Sequence, residues 1–397
     1  MKRINFLIHG FFSLFILLTA LPAKTFARSV EPGDLKAVIT DLETSQKIYQ
    51  LKYDISEGVK KPKALWLNLR RLASPEGQPI ILSHAVVLNN HAMMTLGHWL
   101  FDQGYDVWMP NMAGHGNGDE QSRTEPYENG DYHFDQIVTR DWPRIHQFVR
   151  EQTGKKPVII GYSMGGMTWQ QYLSGVFQEN DSIRQNTTHA KERAAQTTAF
   201  IELTVPEDLT VISSTVKKLL HPLLPILKRI HCTIPFTTSE SSACKPCGYF
   251  ERMRSFTLSY ISPVLPWFLP AGIINTSRCE DDEFNQLVQK QISSPHSDYV
   301  SDLISWFYTD YSSADHNINY GEIKEIYTPT FKIVASDDEL APAEYTLSRS
   351  SLYPKESQVT SYTAQGYAHI DISFREGVRE IGPLIHQFIQ KHSKKTD

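Results

Sequence analysis

Pro157-Val158-Ile159-Ile160-Gly161-Tyr162-Ser163-Met164-Gly165-Gly166 is the stretch on which the reading of this chain turns. Three β-branched residues, Val158 to Ile160, lead into Gly161-Tyr162-Ser163-Met164-Gly165, a G-x-S-x-G pentapeptide, and a helical stretch from Met167 to Leu173 follows. That is the pattern of a nucleophile elbow. A sharp strand-to-helix turn holds a serine in strained backbone space, with backbone N–H groups beside it for an oxyanion. Gly161 and Gly165 carry no Cβ, so the entering strand and the leaving helix can pass close together. A Gly-Ser turn joining two core elements would explain the pentapeptide alone, but not the strand before it and the helix after it. The chemistry implied is acyl transfer through a serine hydroxyl.

Such a hydroxyl needs a base within reach and a carboxylate to orient that base. Both are expected later in the chain, acid before histidine, in loops that follow the last strands. Phe331-Lys332-Ile333-Val334-Ala335 reads as a strand and runs into Ser336-Asp337-Asp338-Glu339-Leu340-Ala341-Pro342. Counting three residues from Ala335 selects Asp338, with Asp337 as runner-up. An isolated Asp-Asp-Glu would read as a solvated turn with a helix N-cap; here order and position select a catalytic acid. Gly366-Tyr367-Ala368-His369-Ile370-Asp371 places a histidine just before the last helix, where the base is needed. The oxyanion hole is expected from the Met164 N–H and from the loop Ser83-His84-Ala85-Val86-Val87, with Val86 as the second donor.

Around these residues the pattern alternates strands with helices. Lys47 to Tyr53 and Ala64 to Leu69 alternate apolar and polar side chains and read as an antiparallel hairpin joined by a turn with Gly58, Lys60, Lys61 and Pro62. Pro79 to Leu82 reads as a short buried strand, Ala92 to Asp102 as a helix, and Tyr105 to Met109 as a strand closed by Pro110 and a glycine-rich loop through Gly118, a βαβ rhythm. Phe134 to Thr153 has helical periodicity, with Pro143 as an expected kink and Gly154 as its C-cap. Thr198 to Val205 and Tyr327 to Ala335 read as core strands, and Phe374 to His392 as a final amphipathic helix. Roughly 120 residues separate those two strands, far more than an ordinary connection, and read as an inserted cap. It holds the amphipathic stretch Val216 to Ile230 and the apolar run Ile261 to Ile274 with Trp267 and Phe268.

The chain has 397 residues, 41% of them hydrophobic, enough for one large core and an inserted subdomain. Its formal charge of −5, without a basic stripe carrying aromatics, argues against nucleic acid as a partner. Lys2 and Arg3, the apolar stretch Phe11 to Leu21, Pro22 and a small-residue site ending at Ala27 read as a secretory signal peptide, the run being too short for a membrane anchor. Export makes disulfides the expectation for Cys232, Cys244, Cys247 and Cys279, in any of three connectivities. A zinc site is disfavoured, since the CxxC has no second CxxC or HxxxH to complete it. His84, His91, His98 and His115 likewise lack the spacing of a metal cage, so no metal is expected. The sequons at Asn180, Asn186 and Asn275 matter only in a glycosylating host.

Gly104 to Gly116, GYDVWMPNMAGHG, and Arg140 to Gly166, RDWPRIHQFVREQTGKKPVIIGYSMGG, resemble the acid-lipase branch of the α/β-hydrolase superfamily, which includes gastric and lysosomal lipases. The order Ser163, Asp338, His369 agrees with that resemblance. Departures are Tyr162 and Met164 where those lipases usually carry histidine and glutamine, and Ala85 where they commonly carry glycine. The resemblance implies an α/β-hydrolase fold, a mostly parallel central sheet flanked by helices, with an inserted cap. On that reading residues 1–27 are the signal peptide, 28–206 and 327–397 the core, and 207–326 the cap. It further implies a secreted or periplasmic esterase or lipase acting on carboxylic esters without a cofactor, its partners an ester or lipid substrate and a lipid surface. An acyltransferase with the same triad, or a silent binding protein on this scaffold, are the alternatives.

Overall fold

The computed structural model of the chain describes residues 38–43, 46–55, 63–116, 120–126, 132–211, 217, 273–293, 297–309, 311–322, 325–354 and 358–393. In chain order its elements are β1 (Val38–Glu43), β2 (Gln46–Asp54), β3 (Ala64–Leu72), β4 (Pro79–Ser83), α1 (Met94–Asp102), β5 (Asp106–Pro110), β6 (Arg123–Glu125), α2 (Trp142–Thr153), β7 (Val158–Tyr162) and α3 (Met164–Leu173). They continue with β8 (Val176–Glu179), β9 (Ser182–Gln185), α4 (Thr187–Ala195), β10 (Ala199–Leu203), α5 (Asp281–Gln286), α6 (Ser297–Trp306), β11 (Thr330–Ala335), α7 (Ala343–Ser348), β12 (Val359–Ala364) and α8 (Arg375–Ser393).

Among the described residues ten strands form one sheet in the order β1-β2-β3-β5-β4-β7-β10-β11-β12, with β6 paired to β3. The six strands from β5 to β12 along that order run parallel, while β1, β2, β3 and β6 are antiparallel additions. Helices cover both faces of the parallel part, which is why its inner strands read as largely apolar runs. In β7 the side chains of Val158, Ile160 and Tyr162 join the layer under α1 and α8, with Leu96, Ile381 and Ile385. Ile159 points the other way, into the layer of Trp142, Trp169 and Phe200. Full burial of each such aliphatic side chain contributes about 1.5–3 kcal/mol. After β4 the chain moves to one side of the sheet, and after β7 it moves to the other. The loops leaving β4 and β7 therefore diverge at the carboxyl ends of adjacent strands, where open α/β sheets bind ligands.

Local differences from the sequence reading have physical causes. Pro143 lies in the first turn of α2, where no N–H is required, and the irregularity falls just ahead of it, in a π-helical turn at Ile137–Asp141. Gly154 closes α2 in the left-handed region, at φ 67°. The elbow helix begins at Met164, three residues before the expected start. β12 was not legible as a strand because VTSYTA is mostly polar with only Ala364 fully buried, and the β8–β9 hairpin because VFQE and SIRQ are mostly polar. Asn186 acts as the N-cap of α4, its side chain accepting from the Thr188 N–H at 2.7 Å. The signal-peptide segment, Cys232, Cys244, Cys247 and nearly all of the two apolar stretches expected in the cap lie outside the described residues. Cys279 is half-buried, and its thiol donates to the Asn275 carbonyl.

Among the described residues no helix is long and apolar enough to cross a membrane. Helix α6, from the stretch between β10 and β11, is tied to the core by His133, whose Nδ1 lies 3.0 Å from Asp302 Oδ2. Burial pulls the His133 pKa down, but Asp302, with Asp298 and Asp135 nearby, outweighs it and raises the value to about 9. The folded-state pKa lies above the unfolded one, so the stabilisation is complete below pH 6.5 and is lost as pH rises through about 9. Both side chains keep some solvent contact, which limits the expected loss to about 1 kcal/mol. Urea midpoints between pH 6 and pH 10 should show this slope in the parent and not in Asp302→Asn.

Candidate active site

Ser163 sits between β7 and α3 with φ 51° and ψ −121°, a backbone conformation few non-glycine residues adopt. Two bonds hold it there: its N–H donates to Leu203 O at 3.0 Å, and its carbonyl accepts from Met167 N at 3.0 Å. The turn works only because its flanks lack Cβ atoms. A Cβ on Gly161 would lie 2.4 Å from the Gly166 Cα, and one on Gly165 would lie 2.6 Å from both the His84 carbonyl oxygen and Ser83 Oγ. Gly165→Ala must therefore push the elbow away from the β4 loop. We expect it to cost about 1–3 kcal/mol, as overpacking does, and to abolish phosphonate-reactive sites in the protein that still folds. Thermal melting combined with active-site titration measures both.

Asp338 and His369 come from the loops after β11 and β12, on the same side of the sheet. His369 Nδ1 donates to Asp338 Oδ2 at 2.7 Å, and His369 Nε2 is 2.9 Å from Ser163 Oγ. A carboxylate only accepts, so the proton resides on Nδ1 and leaves Nε2 free to accept from the serine. The second carboxylate oxygen, Asp338 Oδ1, accepts from the Leu340 and Ala341 N–H groups, each at 2.8 Å. All three residues are buried. Asp337, by contrast, is exposed and bonded to the Ser336 hydroxyl at 2.6 Å.

Tyr162, inside the pentapeptide, reaches His369 from below. Its hydroxyl donates to the His369 carbonyl at 2.9 Å, and its ring lies against the imidazole with centroids 5.7 Å apart. Burial, with the Asp338 and Asp371 charges nearby, raises its pKa far above the usual phenol value, so it stays a donor. Sequence reasoning missed this role, although the departure from histidine at this position was the available signal.

Met164 is the first residue of α3, so its N–H has no partner within the helix. Val86 lies in the loop after β4, whose His84 carbonyl abuts Gly165 together with the hydroxyl of Ser83, the last residue of β4. The structure thus brings the two loops expected to hold the oxyanion donors into contact. Ala85 is absent from the described residues with positive φ, so alanine is accommodated there without left-handed strain. His84 donates from Nδ1 to Ala85 O at 2.8 Å and accepts at Nε2 from Met112 N at 3.3 Å. Burial, reinforced by His115, holds its pKa well below the ordinary value and keeps the ring neutral. His84 and His115 are neighbours, with ring centroids 5.2 Å apart, whereas His91 lies beside Arg70 and Glu120 and His98 is exposed. Among the described residues no three His, Cys, Asp or Glu side chains gather as metal ligands. A groove of about 740 Å³ lined by His146, Arg150, Lys155, Lys156 and Gln196 lies at the amino end of β7, the opposite end from Ser163.

A family model described as alpha/beta hydrolase fold matches residues 78–196. Triacylglycerol lipase 2 of Arabidopsis thaliana is 28% identical over 119 residues, 25% of this chain and 28% of that protein. Lipase member M of Mus musculus is 27% identical over 175 residues, 38% of this chain and 41% of that protein. The chain thus spans less than half the length of these curated relatives. Among solved structures, a thermophilic esterase from Thermogutta terrifontis superposes with a TM-score of 0.52 at 14% identity, over 86% of this chain and 99% of that one, a likeness of fold. The chain thus has the α/β-hydrolase fold, and over residues 78–196 it resembles the α/β-hydrolase family, lipases among it.

Proposed function

We propose that this protein is a serine hydrolase of carboxylic esters, an esterase or lipase, with Ser163 as nucleophile, His369 as base and Asp338 as the acid that orients it. The observation that carries the reading is the unbroken relay from Ser163 Oγ through His369 to Asp338, with links of 2.9 and 2.7 Å. His369 Nε2 takes the hydroxyl proton as Ser163 Oγ attacks the ester carbonyl. The tetrahedral oxyanion is held by the Met164 and Val86 N–H groups. Collapse breaks the bond to the alcohol, which leaves with the proton from Nε2, and Ser163 becomes acylated. Water then attacks the acyl-enzyme with His369 again as base, releasing the carboxylic acid and restoring the serine. Asp338 keeps the imidazole in the required tautomer and stabilises the imidazolium.

Residues 207–326 form a cap inserted between core segments 28–206 and 327–397. In support, β10 and β11 are parallel neighbours although all of that stretch separates them. Export through an amino-terminal signal is supported by Lys2, Arg3 and the apolar segment Phe11 to Leu21. The test is labelling of Ser163 by an organophosphonate, followed by nitrophenyl esters of rising acyl length. Hydrolysis confined to acetate would reject the lipase form and keep the esterase; no labelling and no hydrolysis would reject both.

A further inference from the structure

Residues 273–293, on the carboxyl side of the stretch between β10 and β11, touch the catalytic loops at two separate places. Near the base, Ile370 N donates to Ile273 O at 2.9 Å, and Asn275 donates from its backbone N–H to Asp371 Oδ1 at 3.1 Å and from Nδ2 to Gly366 O at 3.1 Å. Asp371 in turn accepts from Ala368 N, so both neighbours of His369 are held by this contact. Further along, the segment pairs with the chain immediately after Val86. Ser293 N donates to Val87 O at 2.9 Å, Asn89 N donates to Gln291 O at 3.0 Å, and Leu88 and Ile292 form an antiparallel bridge. The buried Ser293 hydroxyl accepts from Gly116 N at 2.9 Å, and the preceding residue, His115, donates from Nε2 to the Val86 carbonyl.

We propose that residues 273–293 are a brace that sets the base loop and the oxyanion loop relative to each other, with Asn275 and Ser293 as positioning residues. This rests on the reading of Ser163, His369 and Val86 given above. The physical reason is that neither loop is a regular element. Its backbone groups need partners, and here one segment supplies them to both loops. Misplacing a reacting group by about 1 Å costs on the order of 100-fold in rate. The two contacts also separate in effect. Asn275 acts on the imidazole's surroundings, and Ser293, through Gly116 and His115, on the oxyanion donor.

The test compares Asn275→Ala and Ser293→Ala with the parent on a soluble short-chain nitrophenyl ester, with kcat expressed per phosphonate-titrated site. Asn275→Ala is expected to lower kcat about 10-fold or more and to move the acid limb of the pH–rate profile. Ser293→Ala is expected to lower kcat similarly with KM and the acid limb unmoved, and Ser293→Thr, which restores a hydroxyl, to recover most of it. A loss of thermal stability with kcat per titrated site within about 2-fold of the parent would overturn the proposal and leave only a structural tie. Hydrogen exchange gives a readout that needs no turnover. Faster exchange at Gly366, whose carbonyl loses the Asn275 Nδ2 donor, in Asn275→Ala and at Gly116 in Ser293→Ala is expected, and unchanged exchange at both would overturn the brace. A parent that is neither labelled nor active would instead overturn the hydrolase reading, and exchange would still decide the brace.

Discussion

Ser163→Ala is expected to lower kcat on a nitrophenyl ester by roughly 10⁶-fold, the scale seen when a triad nucleophile is removed. The Oγ being removed is the atom 2.9 Å from His369 Nε2, and no other hydroxyl stands in that position among the described residues. Alanine keeps the Cβ, so the strained turn and its bonds to Leu203 and Met167 remain, and the melting temperature should barely change. Asp338→Asn tests the next link. An asparagine amide can donate to Nδ1, which shifts the imidazole proton to Nε2 and leaves Ser163 without an acceptor. The expected loss is about 10⁴-fold with normal folding. A Ser163→Ala protein, purified away from host esterases, that kept more than a few per cent of parental turnover would end the mechanism.

Lys332→Met should cost about 3–5 kcal/mol, the usual cost of stranding buried charges, and leave little folded protein at 37 °C. Lys332 lies on β11 with its side chain wholly buried, Nζ 2.6 Å from Glu207 Oε1 and 3.6 Å from Glu202 Oε2. Gln170 of the elbow helix donates to both carboxylates at 3.1 and 2.9 Å, and the Tyr353 hydroxyl donates to Glu202 at 2.5 Å. Burial pulls the Lys332 pKa down, but the two carboxylates outweigh it and hold the value above the ordinary one. Methionine fills the volume yet leaves Glu202 and Glu207 facing each other without a cation. Adding Glu202→Gln and Glu207→Gln should recover much of the loss, since removing both signs of charge avoids the stranded carboxylates. Chemical denaturation of the single and triple variants separates the cases, and a single variant as stable as the parent would show the lysine to be dispensable.

Much of the fold was legible because parallel strands buried on both faces are largely apolar. Val158 to Ile160 and Phe331 to Ala335 announced themselves, as did the buried face of α8. The polar edge strand β12 and the β8–β9 hairpin did not, since β12 fully buries only Ala364 and the hairpin only Val176 and Ile183, too few to make a pattern. At the site, chain order singled out Ser163, Asp338 and His369, and counting from Ala335 separated Asp338 from Asp337. Tyr162 showed only as a departure from the lipase pattern, and Asn275 and Ser293 carried no mark of their contacts, because a hydrogen bond to a backbone carbonyl or N–H puts no local pattern into sequence.

Local physics explains this division. The pentapeptide, the acid after an apolar strand and the histidine before an amphipathic helix are each constrained by near neighbours in the chain, so their spacing alone determined the sheet-with-helices architecture and nominated the triad. Only the tertiary structure decided which groups meet across more than a hundred residues. It seated Gly165 against His84, the Tyr162 hydroxyl on His369, Lys332 between two glutamates, and residues 273–293 against the loops that carry Val86 and His369. Such contacts follow from how strands order themselves in the sheet and from where backbone donors are left over, which are properties of the folded chain rather than of any stretch of it.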